Sequence, residues 1–385
     1  MRLKKKAFYR LAAILLLFIM AVVFIVNLLT PDKKTSTAEN RVLQTLPSFS
    51  LSEYFSGRLE SKLEDYANDQ FVGRNLMIKV KTSADKTEGV LISNGIIRCR
   101  DHYLMEELTV PDEQAIKQTE KALKKFKEQY NDTDMYFLLA PNAANILNDK
   151  LPATVTVNDQ DKYMDQFFKN LKKNDIVPVD VRKALEEAVS ESNNQIYYRT
   201  DHHWTSDGAY YAFKAAANVL DIKDDIQYTN YVVKNNFRGT LYSTSGFTNG
   251  RDDAIKLYIP KSTKNYNNSV IYYSDTKKKT TEFYELDNLK KKDAYTVFGG
   301  SNHPYYTIDT PTESKDVLLL LKDSYANCMI PFLSQKYRRI IVVDPRYYFD
   351  SLDTIMESEE VTKVLFLYNA NTLFSDTTLR MALSQ

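Results

Sequence analysis

Two cysteines, Cys99 and Cys328, in 385 residues are too few for a disulfide framework and lack the paired spacing of a zinc site. They read as two buried free thiols, with a single bond between them as the alternative. There are four histidines, His102, His202, His203 and His303, which gives a metal centre little to be built from. Net charge is also missing: 51 Lys+Arg against 50 Asp+Glu leave +1, so no global field argues for binding nucleic acid. No internal repeat stands out. What is present is a 43% hydrophobic composition, enough for one large domain or two ordinary ones with real cores.

The chain opens on one long apolar run. Leu11 to Leu29 is interrupted by a single polar side chain, Asn27, and as a helix it reaches about 28 Å, the thickness of a bilayer core. Arg2, Lys4, Lys5, Lys6 and Arg10 precede it, whereas Pro31-Asp32-Lys33-Lys34 follows with less positive charge. The positive-inside rule therefore keeps residues 1–10 cytoplasmic, makes 11–30 a transmembrane anchor and puts the remainder outside the cell. A cleaved signal peptide is the rival, but no small-x-small site is evident near Thr30. Residues 31–40 read as a linker and 41–385 as the extracellular domain.

Within that domain a helical pattern runs from Leu51 to Tyr66 and stops near Gly73, and Asn94-Gly95 marks the turn of a short hairpin. Asp112 to Tyr130 is a long amphipathic helix. An apolar strand follows at Met135 to Ala140, a helix around Met164 to Lys172, and a strand at Ile176 to Val181. Residues 221–315 turn rich in Tyr, Asn, Lys and Thr, with turn signals at Arg238-Gly239, Ser245-Gly246, Asn249-Gly250 and Gly299-Gly300, and read as a β-rich insertion. Strands then resume at Val317 to Leu321, Ile340 to Val343 and Val364 to Tyr368. This alternation predicts an α/β fold with a parallel sheet flanked by helices.

Two stretches carry chemistry. Thr200-Asp201-His202-His203-Trp204-Thr205 holds half the histidines and the only tryptophan, just ahead of a helix that Thr205 or Ser206 can cap. If it is extended, Asp201 and His203 project to one side and His202 to the other. More than a hundred residues on, the strand ending at Leu321 runs into Lys322-Asp323-Ser324-Tyr325, placing a serine at the carboxyl end of a parallel strand, where open α/β folds hold their sites. A serine needs an imidazole to take its proton, and the imidazole needs a carboxylate to fix its tautomer. Ser324, His203 and Asp201 form one such set, with Asp323 expected as a turn residue. The backbone N–H groups of Ser324 and Tyr325 are the expected oxyanion donors. Loop packing beside Trp204 and a metal-binding Asp-x-His remain the alternatives for the histidine pair.

Read cyclically, the strand and Asp-Ser turn at Ser324, the strand at Ile340, the strand ending Tyr368-Asn369-Ala370-Asn371, the strands at Met135 and Ile176 and the aspartate-histidine block resemble the SGNH hydrolase superfamily, circularly permuted. The Thr-Asp-His-His-Trp-Thr phrase, Glu39-Asn40-Arg41, and Asp69-Gln70-Phe71-Val72-Gly73-Arg74 resemble the DHHW family, related to the alginate O-acetyltransferases. That resemblance implies Ser324 as nucleophile, His203 as general base and acid, and Asp201 as its orienter; no cofactor or metal is expected. Asn369, Asn371, Arg346, Tyr325 and Trp204 are the further candidate oxyanion or substrate residues, with turn residues as the alternative for the two asparagines and a surface salt bridge for Arg346. Lys322 departs from the glycine usual in that pattern. The implied function is O-acetylation of an exported or cell-surface polysaccharide, supplied by a membrane-bound O-acyltransferase partner. A polysaccharide acetyl esterase with the same triad, or a non-catalytic glycan-binding scaffold, are the alternatives.

Overall fold

The computed structural model describes residues 2–36, 41–51, 54, 58–74, 76–77, 80–81, 84, 89–191, 194–223, 225–247, 250–262 and 264–384. Glu39, Asn40, most of 52–57 and Asn249, which bear on the readings above, lie outside them. The chain forms two compact units, Met1–Val90 and Leu91–Gln385.

In the first unit a helix spans Arg2–Leu29, and its Phe8–Leu29 part is exposed, with a mean hydropathy of 3.0. It is long and apolar enough to cross a membrane. Asn27 sits in it without breaking it because its Nδ2 donates to the Val23 carbonyl one turn back, at 2.8 Å. A second helix covers Arg58–Gln70 and ends before Gly73, whose φ of +82° suits glycine. The Asp69-Gln70 phrase has a local explanation. Asp69 accepts the N–H of Gln44, and the Gln70 amide donates to the carbonyls of Lys33 and Gln44.

The second unit is built on an eight-stranded sheet. Its strands are β1 Asp134–Ala140, β2 Val177–Val179, β3 Val270–Tyr273, β4 Lys279–Thr280, β5 Tyr305–Asp309, β6 Val317–Lys322, β7 Arg339–Val343 and β8 Lys363–Asn369, in spatial order β4-β3-β5-β7-β6-β8-β1-β2. From β7 to β2 all neighbours are parallel, and β4, β3 and β5 continue the sheet antiparallel. The insertion is thus only partly a separate feature. Three of its strands extend the main sheet past β7, while Tyr228–Phe237 and Asp253–Pro260 form a two-stranded ribbon.

Burial explains why β6, β1 and β8 read as unbroken apolar runs. Leu318, Leu320, Val342, Leu365 and Leu138 pack into one core with Ala209, Phe213 and Ala216 of the helix Ser206–Val219. Leu319, Leu321, Val343, Phe366 and Phe137 pack into the other, against the helices Glu113–Gln129 and Gln160–Lys173. A strand covered on both faces has no polar side to show. Strand β2 is shorter than its sequence suggests because Pro178 lacks an N–H and tolerates only an edge position. The chain after β6 forms a 3-10 turn, Ser324–Cys328, and a single α-turn, Ile330–Leu333, where Pro331 fits only the first turn. Asn94 and Gly95, both at positive φ, make the hairpin turn between Ile92–Ser93 and Ile96–Arg98. Both cysteines are free thiols, and burial pushes each up to about 12.

Candidate active site

Strand β6 delivers Ser324 to the carboxyl edge of the sheet through a turn that is fixed on both sides. Asp323, buried, accepts the N–H of Tyr325 at 2.9 Å and of Asn369, at the end of β8, at 2.8 Å. Burial pushes its carboxyl up, against these N–H groups. It is a turn residue, as expected. The Tyr325 N–H is thereby committed to Asp323, which corrects the pair of expected oxyanion donors: only Ser324 N–H has no acceptor among the described residues.

The Asp-His-His stretch reaches the serine from across the sheet. Tyr197 and Trp204 pair as an isolated antiparallel bridge, and residues between them form a bend. Asp253, from the insertion, gathers that bend by accepting Arg199 N, Thr200 N and the Thr200 hydroxyl at 2.6–3.0 Å. The result is a continuous hydrogen-bonded chain. Asp201 Oδ1 lies 2.6 Å from His203 Nδ1, and His203 Nε2 lies 2.8 Å from Ser324 Oγ. This is the arrangement in which an imidazole takes a serine proton while a carboxylate holds its other N–H.

Because the segment bends, the expectation that His202 points away is wrong. Its ring lies 3.9 Å from that of His203, tilted by 35°, and its Nδ1 is 2.7 Å from the Thr240 hydroxyl. Asp201 also accepts the Thr240 N–H and hydroxyl at Oδ2. Burial alone would raise the Asp201 carboxyl, but the two imidazoles and the Thr240 N–H outweigh it and hold the group well below the usual carboxylate range. Burial, helped by His203, pushes His202 down, toward its neutral form.

The remaining residues expected at the site divide by what their side chains touch. Tyr325 is buried and its hydroxyl donates to the His202 carbonyl. Trp204, also buried, donates Nε1 to the Tyr325 carbonyl at 2.9 Å. Both side chains are tied to backbone carbonyls of the site. Arg346 is not a surface ion pair: its guanidinium grips Asp344 with two bonds, at 2.9 and 2.7 Å. Asn369 caps the short helix Ala370–Ser375 and donates Nδ2 to Ala140, and Asn371 ties that helix to Glu107 and Thr109. Both amides line the cleft beside His202. Asp201, His202 and His203 also offer ligand atoms within 4.8 Å of one another. Both Asp201 oxygens and His203 Nδ1 are already spent on hydrogen bonds, however.

Sequence reasoning missed the residues that hold the dyad in place. Tyr295 stacks on His203 at 3.7 Å and 9°, and its hydroxyl donates to the Ser324 carbonyl. Gly239, noted only as a turn signal, lets the backbone approach Asp201 closely; a Cβ there would lie 2.2 Å from Oδ2 and 2.3 Å from the Asp201 Cβ. Gly239→Ala should therefore displace the carboxylate and lower kcat/KM for an ester substrate by about 100-fold. An unchanged rate in a folded variant would show that the carboxylate tolerates the shift.

Residues 102–270 match the family model for the SGNH hydrolase-like domain of the acetyltransferase AlgX. A DHHW family protein from Eubacterium siraeum aligns at 22% identity over 75% of this chain and 95% of its own, with a TM-score of 0.58. PatB1 of Bacillus cereus, solved with a sulfonyl adduct, aligns at 22% identity over 74% of this chain and 96% of its own, also at 0.58. The O-acetyltransferase domain of Pseudomonas putida AlgJ aligns at 16% identity over 76% of this chain and 99% of its own, at 0.48. No curated protein matches the chain by sequence.

Proposed function

We propose, on the premise that this chain has the SGNH hydrolase-like fold and is related to the acetyltransferase AlgX, that it is a serine O-acyltransferase that acetylates a polysaccharide. The observation that carries the reading is the Asp201–His203–Ser324 hydrogen-bonded chain at the carboxyl ends of β6 and β8. Ser324 Oγ attacks the acyl carbonyl as His203 Nε2 takes its proton. The tetrahedral oxyanion accepts the Ser324 N–H, and collapse releases the leaving group with the proton that His203 returns. The acyl-serine is then attacked by an acceptor hydroxyl, whose proton passes to His203 and on to Ser324 Oγ as the new ester departs. Asp201 keeps Nδ1 protonated throughout and stabilises the imidazolium.

Residues 11–30, which fall almost wholly within the apolar Phe8–Leu29 helix, serve in this reading as the membrane anchor, with residues 1–10 cytoplasmic and residues 41–385 outside. An acyl group used outside the cell has to be delivered there, which calls for a membrane-bound O-acyltransferase as partner. The chemistry up to the acyl-serine is the same for an esterase; only the acceptor differs. The test uses the full chain in detergent with p-nitrophenyl acetate, with and without oligosaccharides, and mass analysis of the products. Acetylated oligosaccharide is the expected outcome. Acetate alone at every acceptor concentration would make the protein an esterase, and p-nitrophenol release no faster than buffer would favour a glycan-binding scaffold.

A further inference from the structure

The cleft beside the triad has a one-sided chemistry. It encloses about 550 Å³, a volume typical of small-molecule sites, and Glu106, Glu107, His202, Thr240, Asn369 and Asn371 are among its walls. Among the described residues no lysine or arginine lines it, and two carboxylates do. His202 connects it to the reaction centre, its ring lying against that of His203.

The protonation of His202 is fixed by its neighbours. The Thr240 hydroxyl has one hydrogen, and the Asp201 carboxylate, which cannot donate, receives it at 3.1 Å. His202 Nδ1, 2.7 Å from the same oxygen, is then the donor. In the neutral ring this leaves Nε2 as a lone pair, and among the described residues nothing donates to it. Glu106 is in a similar position. Asn142 gives it one bond, at 3.3 Å. Burial pushes its carboxyl above the usual range, and the charge of His202 and the Asn371 amide only partly oppose it. A bare imidazole nitrogen and a carboxylate with acceptor capacity to spare, in one cleft, suit a ligand that brings O–H or N–H groups. A ligand carrying its own carboxylates would meet Glu106 and Glu107 with no cation to offset them.

We propose that this cleft is the acceptor subsite and that it selects uncharged or amine-bearing sugar residues over uronates, with His202 Nε2 and the Glu106 carboxylate receiving the sugar's O–H or N–H groups. The inference rests on the acyltransfer reading for its role, but its test does not depend on turnover. Binding of chitotetraose, tetraglucosamine and tetramannuronate to the full-length Ser324→Ala chain in detergent is measured by calorimetry. The first two should bind at least tenfold more tightly than tetramannuronate. In the Ser324→Ala background, Glu106→Lys should reverse the preference between tetraglucosamine and tetramannuronate. Glu106→Gln, which keeps the size of the side chain and guards against misfolding of the lysine variant, should weaken tetraglucosamine by about tenfold. His202→Gln should weaken all the oligosaccharides that bind. Tetramannuronate binding as tightly as the others, no binding of any of the three, or a preference indifferent to both Glu106 variants would overturn the proposal. Such a failure leaves the acyl-serine reading standing if the wild-type chain still turns over p-nitrophenyl acetate. Selective binding without any turnover would instead remove the catalytic reading and keep the cleft.

Discussion

Ser324→Ala should reduce turnover of p-nitrophenyl acetate by about 10⁴-fold or more while leaving the fold unchanged. The serine side chain is partly exposed, and its hydroxyl bonds only His203 Nε2 among the described residues, so its loss removes the proposed nucleophile without opening a cavity in either core. Triad members act as a unit, so most of the rate advantage disappears with any one of them. Asp201→Asn should cost about as much, because an amide at Oδ1 accepts or donates differently and no longer holds His203 in the Nδ1–H tautomer. The two variants are separable by a covalent probe. A sulfonyl fluoride should label wild type quickly, Asp201→Asn slowly and Ser324→Ala not at all. Equal labelling of Ser324→Ala and wild type would place the nucleophile elsewhere.

Asp344→Ala should destabilise the protein by about 3–5 kcal/mol, the scale observed when one member of a buried ion pair is removed. Asp344 has no exposed side chain and Lys322 only 2%, with Nζ 3.3 Å from the carboxylate and 2.9 Å from Asn327 Oδ1. Burial drives the Lys322 ammonium down, and Asp344 is the main group opposing that. Without it the ammonium is stranded two residues from the nucleophile, with the Arg346 guanidinium beside it. A fall in Tm on the order of 10 °C is the expected reading. Removing the lysine as well, as Lys322→Met with Asp344→Leu, should recover part of the loss, since it takes away the buried ammonium while Arg346 still lacks its carboxylate. If the single variant melts with wild type, the pair contributes nothing.

Acid should act on the same carboxylates. Burial raises Asp344, but the bonds from Arg346 and the charge of Lys322 outweigh it, so its folded value lies below the ordinary one, as does that of Asp201. A carboxylate depressed on folding contributes stability above the unfolded value, about 3.9, and loses it as pH falls toward the folded one. Acid titration of wild type should therefore show stability falling steadily below about pH 4. Asp344→Ala, lacking one such group, should show a shallower fall. Parallel titration curves would mean that Asp344 has the same affinity for protons in both states.

Much of this molecule was legible before any coordinates. The parallel strands announced themselves because residues buried on both faces leave runs such as Val317–Leu321 with no polar side. The membrane-length helix followed from its apolar length, and its one polar residue satisfies itself within the helix. Asp201, His203 and Ser324 were identifiable because their residue types and their places at element ends are local properties. Proximity was not local. His203 and Ser324 are 121 positions apart, and Thr240, Gly239, Asp253 and Tyr295 reach the dyad from an insertion whose composition suggested only strands. The turn of His202 onto His203 likewise depended on bonds from Asp253 and Thr240 that override the strand alternation assumed for that segment. Sequence thus determined which elements form and which side chains can do chemistry, since periodicity and composition act over a few residues. Only the tertiary structure decided which of those side chains meet, because a hydrogen bond between distant segments leaves no pattern along the chain.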